Sequence, residues 1–71
     1  MIPSNTMLTD STTSGVRYIG LANSQSADVD DTTWTIIRVT TDNNGDNAIE
    51  YAGGERTPKY KWSERATLTY K

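Results

Sequence analysis

Any chemistry in this chain has to come from carboxylates, hydroxyls, amines and aromatic rings, because its 71 residues include no cysteine and no histidine. That absence removes Cys/His zinc sites, thiol catalysis, disulfide staples and Ser-His-Asp triads. Carboxylates cluster at Asp28, Asp30 and Asp31, and again at Asp42 and Asp46. A calcium loop needs oxygens at alternate positions, a tight-turn glycine and a closing bidentate acid. The first cluster runs into Thr32 and Trp34 where ligands should continue. The second has oxygens at 42, 44 and 46, then Asn47 where glycine is needed and Gly53 where glutamate is needed. Both segments therefore read as turns. An acid-pair hydrolase needs two carboxylates facing across a cleft, and Asp28 and Asp46 both fall in loops of a body too small for one. No catalytic residue, metal ligand or cofactor is assigned, and no enzymatic activity is expected.

The run Arg56, Lys59, Tyr60, Lys61, Trp62, Arg65 interleaves cations with aromatic rings. On a small β-barrel such a run resembles a platform for single-stranded nucleic acid, with bases stacked on rings and cations on phosphates. The net charge of -2 argues against it, since phosphate neutralisation supplies most of that affinity. The plainer expectation has Trp62 plugging the end of the fold and Arg65 pairing with an acid such as Asp42 or Glu50. Trp34 and Trp62 could instead stack on a sugar ring. In a chain without phenylalanine, two tryptophans are more economically read as core.

These side chains must be positioned by strands. Twelve threonines, four tyrosines and two tryptophans favour β structure, and the asparagine, aspartate, glycine and serine residues favour turns. Residues 16–22 and 34–41 read as strands, the second with Trp34, Ile36 and Arg38 on one face and Ile37 and Val39 on the other. Asn44-Gly45 marks a hairpin turn, with 48–52 returning so that Ile49 and Tyr51 pair across the ladder with Trp34 and Ile36. Ser26 is placed to cap one helical turn over 27–31. Gly53-Gly54 breaks the chain, 55–64 form a basic loop, and 65–70 form a last strand with Ala66, Leu68 and Tyr70 on one face. The expected fold is all-β: a small antiparallel barrel or meander of four to five short strands. Residues 1–15 form an extended polar N-terminal arm and 16–71 a single small β domain. The predicted core is Trp34, Ile36, Ile49, Tyr51, Trp62 and Leu68.

Neither a signal peptide nor an apolar run long enough for a membrane span is read in the sequence. A chain this short buries only ~60% of its unfolded surface, so docking or oligomerisation is the expected source of added stability. Charge is also divided: residues 1–54 are acidic on balance and 55–71 basic.

Four segments carry a resemblance. They are Tyr18-Ile19-Gly20-Leu21-Ala22, Trp34-Thr35-Ile36-Ile37-Arg38-Val39, Ile49-Glu50-Tyr51-Ala52-Gly53-Gly54, and Trp62-Ser63-Glu64-Arg65-Ala66-Thr67-Leu68-Thr69-Tyr70. Their order and gaps resemble a family of short structural proteins of tailed bacteriophages, over residues 18–70. The loop Lys59-Tyr60-Lys61 departs from that pattern, where Phe and acids are more usual. The resemblance implies a non-enzymatic virion component, part of a capsid, neck, tail or fibre, localised to the particle. Its partners would be other virion proteins in multiple copies, with no membrane contact and nucleic acid disfavoured. The arm and basic loop supply the expected contacts: Ile2, Met7, Leu8, Arg56, Lys59, Tyr60 and Lys61. The alternative is a small β-barrel module binding single-stranded nucleic acid or carbohydrate.

Overall fold

The computed structural model describes residues 6–22 and 27–71. Four antiparallel strands follow one another in a single sheet of order β1-β2-β3-β4: β1 (Thr6–Asp10), β2 (Val16–Ala22), β3 (Trp34–Thr41) and β4 (Asn47–Tyr51). This is an open meander. Among the described residues no bond joins β1 to β4, so the sheet does not close into a barrel. No α-helix occurs among the described residues.

Three ladders fix which side chains share a face. Tyr18, Gly20 and Ala22 stand beside Arg38, Ile36 and Trp34. Leu8 and Asp10 continue that face on β1, and Glu50 continues it on β4 beside Arg38. The opposite face carries Met7, Ile19, Leu21, Ile37, Val39, Ile49 and Tyr51. The hairpin register decides this. Ile37 pairs with Tyr51 and Val39 with Ile49, three residues away from the expected pairing with Trp34 and Ile36. A slip by an odd number of residues moves every side chain of a strand to the other face. Ile49 is accordingly 64% exposed and is not core, and Tyr51 is half-buried on that same far face.

The turn sets this register. Asp42 and Asp46 close a three-residue loop: Asp42 N–H donates to Asp46 O, and Gly45 N–H donates back to Asp42 O. Within the loop only Gly45 has positive φ, at 86°. A type I turn followed by a left-handed glycine makes this kind of loop, and it sets a different register from a two-residue Asn-Gly turn. The Asp42 carboxylate accepts from the N–H groups of Asn44 and Asp46.

The C-terminal segment covers one face of the sheet. Tyr60 bridges to Trp34, a single 3-10 turn spans Trp62–Glu64, and Tyr70 bridges to Ala52. The strand expected over 65–70 does not form. Arg65–Thr67 continue as turn, and only the last residues pair, through Gly53 N–H to Thr69 O and reciprocal bonds between Tyr51 and Lys71. The bend brings both Trp62 and Tyr70 onto the sheet, which one straight strand could not do. The core is Ala22, Trp34, Ile36, Ala52, Trp62 and Tyr70, with Leu8, Tyr18, Ala27, Tyr60 and Leu68 packed against it.

The expected free arm is corrected in the same way. Thr6–Asp10 is an integral edge strand, paired along its length to β2. The position of Ile2 lies outside the described residues, as does that of the expected cap Ser26. Ala27–Asp31 holds a tight turn closed by Asp31 N–H to Asp28 O instead of a helical turn.

Candidate binding surfaces

Two aromatic pairs organise the covered face. Trp34 from the sheet meets Trp62 at 6.0 Å between ring centroids, and Tyr18 meets Tyr70 at 5.9 Å. Both pairs are tilted, as the ring quadrupoles favour. An arginine caps each. Arg65 sits 4.6 Å over the Trp62 ring and Arg38 sits 4.6 Å over Tyr70. A carboxylate from an edge strand holds each arginine: Asp10 of β1 binds Arg65 Nε at 2.9 Å, and Glu50 of β4 binds Arg38 Nη2 at 2.7 Å. The Asp10 carboxyl is pulled down to about 2 by the backbone and hydroxyl of Thr12 and by Arg65. The Tyr70 hydroxyl is pushed up to about 12, chiefly by burial, and donates to Arg65 O. Arg65 thus pairs with Asp10, and Glu50 with Arg38; Asp42 binds neither.

This arrangement assigns Trp62 and Arg65 of the basic-aromatic run to folding. Trp62 is 6% exposed and Trp34 fully buried, so neither ring offers a face to a base or a sugar. The Trp34 indole N–H donates to Asp28 O at 2.8 Å. Tyr60 is half-buried, with its hydroxyl packed where a side chain on Gly53 would lie. Lys59 binds Glu55, and Arg56 lies 5.1 Å over Tyr51. Lys61 is half-buried ahead of the 3-10 turn. The carboxylates 28–31 serve the turn: Asp31 accepts from Asp28 N–H, Asp28 accepts from Asp30 N–H, and Asp30 accepts from the Ser63 hydroxyl at 2.6 Å. Among the described residues, no three acidic side chains gather as a metal site.

What remains is the far face and the edges. The predicted contacts Met7 and Leu8 separate, because neighbours in a strand point to opposite sides. Leu8 packs into the core and is corrected from a docking residue, whereas Met7 is 63% exposed on the far face. Leu21 is exposed beside it and Ile49 at the opposite corner of the face, and Ile19, Ile37, Val39 and Tyr51 are half-buried. Arg56 covers one end of this apolar strip, its carbonyl accepting from the Thr35 hydroxyl and its guanidinium lying over the Tyr51 ring. At the hairpin end the strip opens into a groove of about 400 Å³ lined by hydroxyl-bearing residues of the β1–β2 turn and by Arg17, Val39 and Asn47. No helix is long and apolar enough to cross a membrane among the described residues.

The sequence missed this face because the hairpin register hid it. Its only sequence signal was that β3 carries apolar residues on both faces, which reads equally as a central strand buried on both sides. Comparison with protein-family models, curated proteins and solved structures finds no match for the chain.

Proposed function

We propose that the chain is a non-enzymatic structural subunit of a bacteriophage particle, held in many copies on a larger virion protein as a capsid, neck, tail or fibre component. One observation carries the assembly part of this reading: the sheet leaves an apolar face and the outer edge of β1 unpaired among the described residues. Such surfaces on a minimal core are what an assembly partner covers. Edge pairing on β1 would use main-chain bonds, and the basic loop with Arg56, Lys59 and Lys61 would supply a charged contact. The bacteriophage part rests on the sequence resemblance alone. The residues of that resemblance now have a physical meaning. Gly20, Trp34, Ile36, Arg38, Ala52, Trp62, Arg65 and Tyr70 meet on the covered face, so the shared pattern is a packing signature.

Quantitative mass spectrometry of density-purified particles tests the proposal. The chain should be present at a fixed ratio to a major virion protein and should survive a high-salt wash. Its absence from washed particles would overturn the assignment. Salt-sensitive binding of an oligonucleotide by the purified chain would replace it with the nucleic-acid reading.

A further inference from the structure

We infer that Asn44 is a site of spontaneous deamidation, restrained by Asp42, and that its isoaspartate product releases the β3–β4 hairpin. This goes beyond the particle reading and does not depend on it. The step is attack of the Gly45 backbone nitrogen on the side-chain carbonyl carbon of Asn44. The new C–N bond closes a cyclic succinimide, the amide C–N bond breaks, and the amino group leaves as ammonia with the proton lost from Gly45. Water, the only co-reactant, then opens the ring at either carbonyl. One product is aspartate. The other is isoaspartate, whose main chain runs through the former side-chain methylene.

Three observations select Asn44 among the hairpin asparagines Asn43, Asn44 and Asn47. The first is the residue that follows. Ring closure is easiest where the attacking nitrogen belongs to glycine, because a Cβ crowds the approach. Asn44 precedes Gly45, whereas Asn43 precedes Asn44 and Asn47 precedes Ala48. The second is room. Asn44 and Gly45 are both exposed, and nothing stands within 4 Å of where a Cβ on Gly45 would lie. The third is how each nitrogen is held. The nitrogen that follows Asn43 donates to the Asp42 carboxylate at 2.9 Å, and bonds to a charged acceptor are the strong ones. Gly45 N–H reaches only the neutral Asp42 carbonyl, at 3.1 Å. The Asn47 carboxamide is itself engaged, accepting from the Thr41 hydroxyl.

The turn restrains the reaction. Attack requires rotation about the Asn44 Cα–C bond, and Asp42 opposes it on both sides. Its carbonyl holds Gly45 N–H, and its carboxylate holds the N–H groups of Asn44 and Asp46. These bonds lie at an exposed hairpin tip, which opens locally at far lower cost than the whole fold. The isoaspartate product then acts on the register. Asp42 N–H to Asp46 O at 2.9 Å and Gly45 N–H to Asp42 O close the loop, and so short a loop has no slack for an added methylene. Isoaspartate at position 44 therefore breaks the closure and releases the first pairs of β4, Thr41 with Asn47 and Thr40 with Ala48. Plain aspartate keeps the backbone and adds only a charge beside Asp42 and Asp46.

The purified full chain, held at mildly alkaline pH, is followed by ion-exchange chromatography and peptide mass spectrometry. A more acidic species should accumulate, with the mass increase of NH2 replaced by OH located at residue 44. Asn44→Gln should lack that species. Asp42→Ala should react about tenfold faster, the factor that loss of a hydrogen bond to a charged group puts on a local opening equilibrium. The separated isoaspartate form should melt roughly 4–8 °C below the fresh chain, as loss of about one hydrogen bond does in a domain this small. Asn44→Asp should melt close to the wild type. Conversion of Asn43 or Asn47 ahead of Asn44 overturns the site, as does an intact Asn44 in the folded chain after the same chain in urea has fully converted. An Asp42→Ala rate equal to that of the wild type overturns the restraint. An isoaspartate form that melts like the fresh chain overturns the release of the hairpin.

Discussion

Gly20 shows how much one residue position constrains this fold. A Cβ there would enter the Trp62 ring, 2.7 Å from Cζ3, and would also press on Trp34 at 3.1 Å. The cost of such overpacking is about 1–3 kcal/mol, and each kcal/mol lowers Tm by roughly 4–8 °C in a domain this small. Gly20→Ala should therefore melt at least about 5 °C below the wild type by circular dichroism; an unchanged Tm would mean that Trp62 does not rest on β2. Asp10 makes a pH prediction. Its folded pKa, about 2, lies below the ordinary 3.8, so the unfolded chain takes up the proton first. The stability from this carboxylate is complete above about pH 4 and disappears as pH falls toward 2. Urea midpoints of wild type and Asp10→Asn should differ at pH 6 and converge near pH 2; a gap constant with pH would exclude this role. Tyr70 works at the other end. Its pKa is raised to about 12 from 10.0, so its contribution is whole below pH 10 and is lost as pH rises toward 12. Tyr70→Phe should remove that alkaline decline, at the cost of about 1 kcal/mol for the bond to Arg65 O.

At the scale of elements, the C-terminal segment and β1 depend on each other. Residues 62–71 provide Trp62 and Tyr70, while β1 provides Leu8 and the Asp10 partner of Arg65. β1 is therefore not a detachable arm. Deletion through Asp10 should lower Tm by roughly 10 °C, from lost burial of Leu8, worth up to about 1.5–3 kcal/mol, together with the missing ion pair. A truncated chain that melts like the wild type would restore the free-arm picture. The last strand expected from Ala66, Leu68 and Tyr70 fails for a related reason. The chain has to place Trp62 above Gly20 and still return Tyr70 to Ala52. It does so with a 3-10 turn followed by a further turn, and alternation along 65–70 carries no information about that bend.

For the whole molecule, the margin is narrow. A chain of this length is stabilised by roughly 4–10 kcal/mol, and Trp62→Ala costs about 3–5 kcal/mol. That variant should melt at least about 12 °C below the wild type; a cooperative melt near the wild-type temperature would show that the covering layer is dispensable. A core this limited explains why the far face matters. Of the two apolar faces of the sheet, the chain covers one, and covering the second requires another surface.

The sequence alone determined the all-β class, the positions of β2 and β3, the hairpin between β3 and β4, and the burial of Trp34, Ile36 and Trp62. These follow from local signals: β-branched and aromatic runs, turn residues and the scarcity of helix formers. Tertiary structure decided the rest. A single left-handed glycine after a type I turn set the register, and the register turned Ile49 and Tyr51 away from the core. Pairing between segments distant in sequence placed Asp10 on Arg65, Glu50 on Arg38 and the C-terminus against Tyr51. Local propensity cannot encode these contacts, because the partner of an edge strand or of a buried arginine is chosen only when the two faces of the sheet acquire different neighbours.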